Sequence, residues 1–382
     1  MSKWEEKRLE DIIDVNPPVK LKKGESYPFI DIDKVSPTRR SVTNEEVKVY
    51  DGQSSSKFCD GDTIFSRITP CLENRKIAKV SINGDAAFGS TEFYVFRAKK
   101  KKADARFTYY LTSSDAVVLP AINSMTGASG RQRADKRFIQ RLKLNLPDLP
   151  TQERIADILS AYDDLIEANN RRIELLEQTA QELYKEWFVR FRFPGYEAAK
   201  FENGLPQGWS YEKFKDGLTY NTGKLDSNAA VLDGEYSFYT CAKTIYKTNT
   251  YCFDGECVLL GGNNATGDFS LFYANEKLDA YQRTYIVTPQ NQTLSCAYIY
   301  FVLKDYLLQF KTASIGATTK FLTKGMLDKA KILVPDEKTI LRYNEIAKNM
   351  FDQIVSLKAK TENLVSQRDM LLPRLMSGKL EV

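Results

Sequence analysis

The chain says the same thing twice, and a direct repeat constrains its fold more than any local motif does. "KWEEKRLEDI" near the start returns as "GWSYEKFKDG", which pairs Trp4, Leu9 and Asp11 with Trp209, Phe214 and Asp216. "SYPFID" answers to "EYSFYT", and "FCDGDTIFS" to "YCFDGECVLL", placing Gly61 and Asp62 opposite Gly255 and Glu256. "RFTYYLTSS" parallels "AYIYFVLKD", and "MTGASG" parallels "SIGATT", with Gly127 and Ala128 opposite Gly316 and Ala317. Last, "LPDLPTQERIADIL" aligns with "VPDEKTILRYNEIA", pairing Pro147, Asp148, Thr151, Arg154 and Ile158 with Pro335, Asp336, Thr339, Arg342 and Ile346. Each match is weak alone, but all of them keep one order.

Each copy has a globular part and a helical part. Runs such as "EFYVFRA", "ECVLLGG" and "RTYIV" are rich in β-branched and aromatic residues and are broken by Gly, Asn, Asp and Pro, so they predict short strands in a mainly β, α+β globule. From Thr151 to Arg190 there is no Gly or Pro. Apolar residues there fall at Ile155, Ile158, Leu159, Tyr162, Leu165, Ile166, Ile173, Leu176, Ala180, Leu183 and Trp187, the spacing of a long packed helix. The second copy carries Tyr343, Ile346, Met350, Ile354, Leu357, Leu364, Leu371 and Leu375 in the same register. The boundaries expected are a globule over 1–150, a helix over 151–192, a linker and second globule over 193–335, and a second helix with its tail over 336–382. Ile158, Leu165, Leu176, Ile346, Leu357 and Leu364 are expected to form the core where the helices pack on each other. Asn169, aligned with Leu357, either fixes their register or lies in a partly solvated seam, while Asp163 beside Asp164 is expected on the solvated face. About 35 helical residues make a rod of roughly 50 Å. If the rods are antiparallel, the expected molecule is a pseudo-two-fold dumb-bell, suited to touching a long polymer at two places.

Composition removes several chemistries. The chain has no histidine, so Ser-His-Asp and Cys-His catalysis and His-metal centres are excluded. Cys59, Cys71, Cys241, Cys252, Cys257 and Cys296 form no C-x-x-C pair and read as buried, reduced thiols. No apolar run approaches the roughly 20 residues needed to cross a bilayer, and "MSKWEEKRLE" is too charged for a signal peptide, so a cytoplasmic protein is expected. "VNPPV" lacks the aromatic residue that a base-flipping methyltransferase motif requires and reads as a turn. "GGNNATGD" lacks the G-K-[ST] of a P-loop, and "VPDEK" reads as a helix start.

The net charge of +5 is mild, but its distribution is uneven. Between Gly130 and Lys143 stand Arg131, Arg133, Lys136, Arg137, Arg141 and Lys143 against one acid, Asp135. A second run, Lys99 to Lys102, follows an expected strand and suits a solvated hairpin tip as well as a binding surface. "MTGASGRQR" has the glycines and cations of a loop that accepts phosphate. Arg and Lys suit both phosphates and base edges, and Asn, Gln, Ser and Thr suit base edges. The candidate DNA-binding residues are therefore Arg67, Thr69, Arg75, Lys76, Arg131, Gln132 and Arg133 in the first copy. In the second they are Asn263, Asn264, Thr266, Thr318, Thr319 and Lys320. No catalytic or metal-ligating set is expected.

"GDTIFSRITPCLENRKIAKV" with "GSTEFYVFRA", then "GRQR" and "LPDLPTQERIADILSAYDDLIEANNRRIELLE", "EWFVRF" with "LPQGW", and "RDMLLPRLMSGKLEV" resemble the specificity subunit of Type I restriction-modification systems over the whole chain. The resemblance implies two target recognition domains, each reading half of a split double-stranded DNA sequence. They would be separated by two long helices in an antiparallel coiled coil that sets the distance between the halves. It also implies two modification subunits that bind S-adenosylmethionine and methylate adenine, and two restriction subunits that use ATP and Mg. This chain would be non-catalytic, with no cofactor of its own. The second copy departs from the pattern in lacking the Gln-Glu-Arg of "TQERIADI", so partner contacts are not carried over equally. Two other readings remain: the recognition part of a bifunctional restriction enzyme and methyltransferase, and a coiled-coil protein scaffold. The start at Trp4 and the "MSGKLEV" ending weigh against a lost catalytic domain, and a scaffold would leave the loop arginines idle.

Overall fold

Asp148 and Asp336 begin the two longest helices by the same means. In the computed structural model, which describes residues 4–43, 46–290, 293–314, 316 and 318–382, the Asp148 carboxylate accepts from the Thr151 N–H at 3.1 Å. That of Asp336 accepts from the Thr339 N–H, also at 3.1 Å. A carboxylate at this place satisfies a backbone donor that has no partner inside the helix, and it faces the positive end of the helix dipole. The helices run over Leu149–Tyr184, continued by a π-helical turn Lys185–Val189, and over Glu337–Met376.

The chain divides into two compact units, Met1–Asn169 with Lys360–Val382, and Asn170–Ala359, so each long helix belongs partly to one and partly to the other. In the first unit a five-stranded sheet runs in the order Ile13–Val15, Phe93–Ala98, Thr63–Ser66, Ile77–Ser81, Ser41–Thr43. A four-stranded sheet runs Glu46–Val49, Ser26–Ile30, Ala86–Gly89, Ser56–Cys59. One core gathers Leu9, Phe65, Phe96, Phe107 and Val118 with Ile155, Leu159 and Leu375 of the long helices, and another holds Ile30, Phe58, Ile64, Val80 and Phe93.

The second unit has a six-stranded sheet ordered Leu218–Thr222, Thr284–Pro289, Phe253–Gly261, Leu271–Ala280, Tyr236–Tyr239, Tyr246–Thr248. Its main core is aromatic, with Phe188 edge-on to both Tyr298 and Tyr343 at 4.8 Å.

The repeat is visible in the pairing. Trp4 lies opposite Pro147 in an antiparallel ribbon, as Ser210 lies opposite Val334. Phe29 pairs in parallel with Phe88, and Phe238 in parallel with Asp279. An α+β chain of two repeated, strand-rich units with two long helices is what the sequence led us to expect.

Within each unit the helices pack antiparallel. In the first, Arg368 reaches Asp163 at 2.7 Å, and Arg154 reaches the carbonyl of Val382 at 3.0 Å. In the second, Lys358 faces Glu177 at 3.4 Å, and Trp187 lies 6.0 Å from Tyr343. Ile173, Leu176, Ile354 and Leu357 form a local cluster, Ile158 and Ile346 pack half-buried against the larger cores, and Leu364 is half-buried. Asn169 is likewise half-buried, as a partly solvated seam requires.

Two expectations about the first helix are reversed. Leu165 is 54% exposed and takes no part in the core, whereas Asp163 is 2% exposed. The seam runs through Ala156, Leu159, Asp163, Ile166 and Ile173, one residue away from Leu165. Asp163 is held there by Tyr110, whose hydroxyl donates at 2.6 Å, and by Arg368. The corresponding residues of the second unit are apolar: Phe301 packs on Phe351 at 5.8 Å beside the buried Ala180.

All six cysteines are free thiols, but only Cys257 and Cys296 are buried, and Cys252 is exposed. The Lys99–Lys102 run joins strand Phe93–Ala98 to helix Ala105–Ser113 and is not a hairpin tip. Among the described residues no helix is long and apolar enough to cross a membrane.

Candidate nucleic-acid interface

The loop "MTGASGRQR" is closed by its own backbone. Thr126 and Arg133 exchange N–H···O bonds of 3.1 and 2.9 Å, and the Arg131 N–H closes a turn on the Ala128 carbonyl at 3.0 Å. Gly127 adopts φ 125° with the Arg131 carbonyl 3.2 Å from where a Cβ would stand, a conformation that suits glycine alone. The loop is then tied to the segment after strand Thr63–Ser66. The Thr69 N–H donates to the Gln132 carbonyl at 3.0 Å, the Gln132 N–H to the Thr69 hydroxyl at 3.2 Å, and the Ala134 N–H to the Arg67 carbonyl at 2.8 Å.

This bracing sets two arginines on one acid. Glu92 accepts from Arg133 at Nε (2.9 Å) and Nη2 (2.6 Å), and from Arg67 Nε at 3.2 Å, while Arg67 also lies 5.5 Å from the centre of the Tyr94 ring. Arg133 holds the Glu92 carboxyl below its ordinary pKa, against partial burial and with help from Arg67. Arg131 is exposed, and its guanidinium has no partner among the described residues. The surface therefore offers one free guanidinium and two oriented ones.

The second unit builds the same framework with other side chains. Gly316 has φ 120°, and a Cβ on it would collide with the Thr319 carbonyl, so it repeats the turn of Gly127. The next residue, Ala317, the counterpart of Ala128, lies outside the described residues. Two of the backbone bonds that locate the loop recur. Arg67 N–H donates to the Glu92 carbonyl at 2.9 Å and Gly262 N–H to the Arg283 carbonyl at 2.7 Å. Ala134 N–H donates to the Arg67 carbonyl, and Leu322 N–H to the Gly262 carbonyl, both at 2.8 Å. Ile68 bridges to Arg133 as Asn263 pairs with Phe321. By this register Arg67, Ile68, Thr69, Glu92, Gln132 and Arg133 occupy the places of Gly262, Asn263, Asn264, Arg283, Lys320 and Phe321.

The candidates named from sequence separate into groups. Arg67, Arg131, Gln132 and Arg133 come together on one surface. Thr69 is buried, and its hydroxyl braces the loop. Arg75 is turned to helix residues, paired with Asp115 and the Ser113 carbonyl at 3.2 Å, and Lys76 donates to the Ile32 carbonyl at 2.9 Å. In the second unit Asn263, Asn264, Thr319 and Lys320 meet at the paired strands Asn263–Asn264 and Lys320–Phe321, with Thr318 exposed beside them. The Asn264 side-chain carbonyl accepts from the Thr266 N–H and hydroxyl, both at 2.8 Å, so these two shape a turn. Glu92 and Arg283 were not named from sequence. Each immediately precedes a strand, Phe93–Ala98 and Thr284–Pro289, and aligning "EFYVF" with "RTYIV" would have matched them.

Residues 1–178 and 206–366 each match the family model described as Type I restriction modification DNA specificity domain. The EcoDI specificity subunit of Escherichia coli is 31% identical over 180 residues, a stretch covering 46% of this chain and 39% of that protein. The MjaIX specificity subunit of Methanocaldococcus jannaschii is 22% identical, with 99% of this chain and 94% of that protein aligned. Among solved structures, the Type I restriction-modification S subunit from M. genitalium shares the fold, with a TM-score of 0.62, 14% identity, and coverage of 98% of this chain and 96% of that one.

Proposed function

Because this chain belongs to the Type I restriction-modification DNA specificity family, we propose that it selects the DNA target of such a system, each unit reading one part of a bipartite duplex sequence. The observation that carries this reading is the repeated backbone framework with different side chains on it: Arg67, Glu92 and Arg133 in one unit, Gly262, Arg283 and Phe321 in the other. Two copies of one scaffold that differ at their exposed polar positions suit two readers of two sequences. Phosphate contacts, that of the free Arg131 among them, would place the chain on the duplex, and base-edge contacts by Gln132 and Arg133, and by Asn263, Thr319 and Lys320, would discriminate. The turn-forming Thr69, Asn264 and Thr266 and the internally paired Arg75 and Lys76 support these surfaces; Thr318 remains a contact candidate.

Catalysis belongs to partners. Two modification subunits carrying S-adenosylmethionine would methylate adenine, and two restriction subunits using ATP and Mg would join them in the cytoplasm. The chain contributes no catalytic group of its own. The test is to assemble it with its modification subunits, expose genomic DNA, and map methylated adenines. One split motif with a fixed spacer is expected. Methylation without sequence preference, or methyl transfer by the purified chain alone, would overturn the proposal.

A further inference from the structure

Resting on the DNA-recognition reading, we propose that the position just before the strands opening at Phe93 and Thr284 determines the specificity of each unit. Arg283 would be a direct base reader in the second unit, and Glu92 the positioning residue for Arg67 and Arg133 in the first. Both residues use their backbone carbonyls identically, accepting from Arg67 and Gly262. Their side chains also face the same loop position, Arg133 in one unit and Phe321 in the other. What differs is the chemistry of that pair.

In the first unit the carboxylate of Glu92 has both oxygens engaged by arginines, so it has little capacity left to accept from a base and acts through them. The arginines need such a clamp because a long side chain on an exposed loop otherwise spreads over many rotamers. A half-exposed ion pair contributes little to stability, so its main effect is geometric.

In the second unit position 262 cannot hold a side chain, because a Cβ there would collide with the Arg283 carbonyl. The cation stands instead at Arg283, whose guanidinium lies 5.1 Å from the centre of the Phe321 ring. An aromatic face orients a guanidinium plane without using its N–H groups. Arg283 is exposed and its guanidinium has no hydrogen-bond or ion-pair partner among the described residues, so its donor fork is available. A fork held in this way matches the O6 and N7 acceptors of guanine. In both trios one positive charge is left over, two guanidiniums against a carboxylate in the first and one guanidinium in the second. The field toward DNA is thus kept while the pattern of donors changes.

The experiment is a selection from a randomised duplex pool at fixed salt, using the full-length chain alone and with its modification subunits, followed by sequencing of bound DNA. Arg283→Ala is expected to lose discrimination by roughly tenfold or more at one or two base pairs of one half-site, the worth of one bidentate contact. Arg283→Lys keeps the charge without the fork, and should keep the affinity and salt slope while losing the same base preference. Glu92→Gln should relax only the other half-site. Unchanged sequence preferences in variants that melt like the wild type would overturn the proposal. So would a uniform loss of affinity in Arg283→Ala with a shallower salt slope, the mark of a phosphate contact. If the wild-type chain selects no sequence at all, the recognition reading itself fails, a result distinct from either.

Discussion

Arg131 and Arg133 differ in what holds them, and their removal should differ in effect. Arg131 has no partner to strand, so Arg131→Ala should weaken binding to all duplexes alike and reduce the salt slope by about one. Arg133→Ala leaves Glu92 facing the phosphates without its strongest partner and should cost more affinity than Arg131→Ala. Binding isotherms at several salt concentrations check both; a slope equal to the wild type for Arg131→Ala would contradict the first. Glu92 also sets a pH expectation. Arg133 depresses its folded-state pKa, so its stabilising contribution is complete above the unfolded value of about 4.3 and is lost as pH falls through the lower folded value. With no histidine in the chain, and with burial raising the thiols of Cys257 and Cys296, the latter to about 12, thermal midpoints should stay nearly flat from pH 5.5 to 8 and fall only on further acidification. A steep change within that range, read by calorimetry, would refute this. The arginines of the loop were legible because charge clusters are visible in one dimension. The roles of Thr69, Asn264 and Thr266 were not, because a short polar side chain serves a turn as readily as a base. Arg283 was hidden because the likeness between "EFYVF" and "RTYIV" is too slight to pair them; the strand register, Phe93 opposite Ser66 and Thr284 opposite Gly261, puts Glu92 and Arg283 in the same place.

At the scale of elements, the first long helix shows how one polar residue conceals a seam. Apolar spacing placed Leu165 in the core because Asp163 interrupts the heptad to which Leu159, Ile166 and Ile173 belong. Leu165→Ala is therefore expected to change stability by no more than about 0.5 kcal/mol, and Leu159→Ala to cost about 2–5 kcal/mol. Denaturant titration of both decides between the two seams. Asp163→Ala removes the buried acceptor of both Tyr110 and Arg368, which keeps Asp369, and should cost about 1–3 kcal/mol. Installing the residues of the second unit together, Tyr110→Phe, Asp163→Phe and Arg368→Ala, should restore much of that loss, since an apolar cluster in place of a buried ion pair is often neutral. A triple variant no more stable than Asp163→Ala would show that the two seats are not interchangeable. The helix starts, by contrast, were plain in the sequence: Pro-Asp followed by Thr three residues after the Asp marks an N-cap, and Asp148 and Asp336 both act as one.

For the whole molecule the repeat was the most legible feature, because collinear matches survive where each alone is weak. The chain's division into units was less so, since Lys360–Val382 joins the first unit through contacts such as Arg154 with Val382 that no local pattern announces. Inserting about one helical turn into both long helices should change the preferred spacer between half-sites and leave their sequences alone. Methylation mapping reads this directly, and an unchanged spacer would remove the helices from any measuring role. The bonds that join position 67 to 92 and 134, and 262 to 283 and 322, run from main chain to main chain, and none depends on which side chain is attached. Apart from Gly262 and the buried Ala134 and Leu322, these positions can vary without first compensating for a loss of folding. A lineage carrying this chain can thus try new targets one substitution at a time, with the preference of one repeat inherited intact while that of the other drifts.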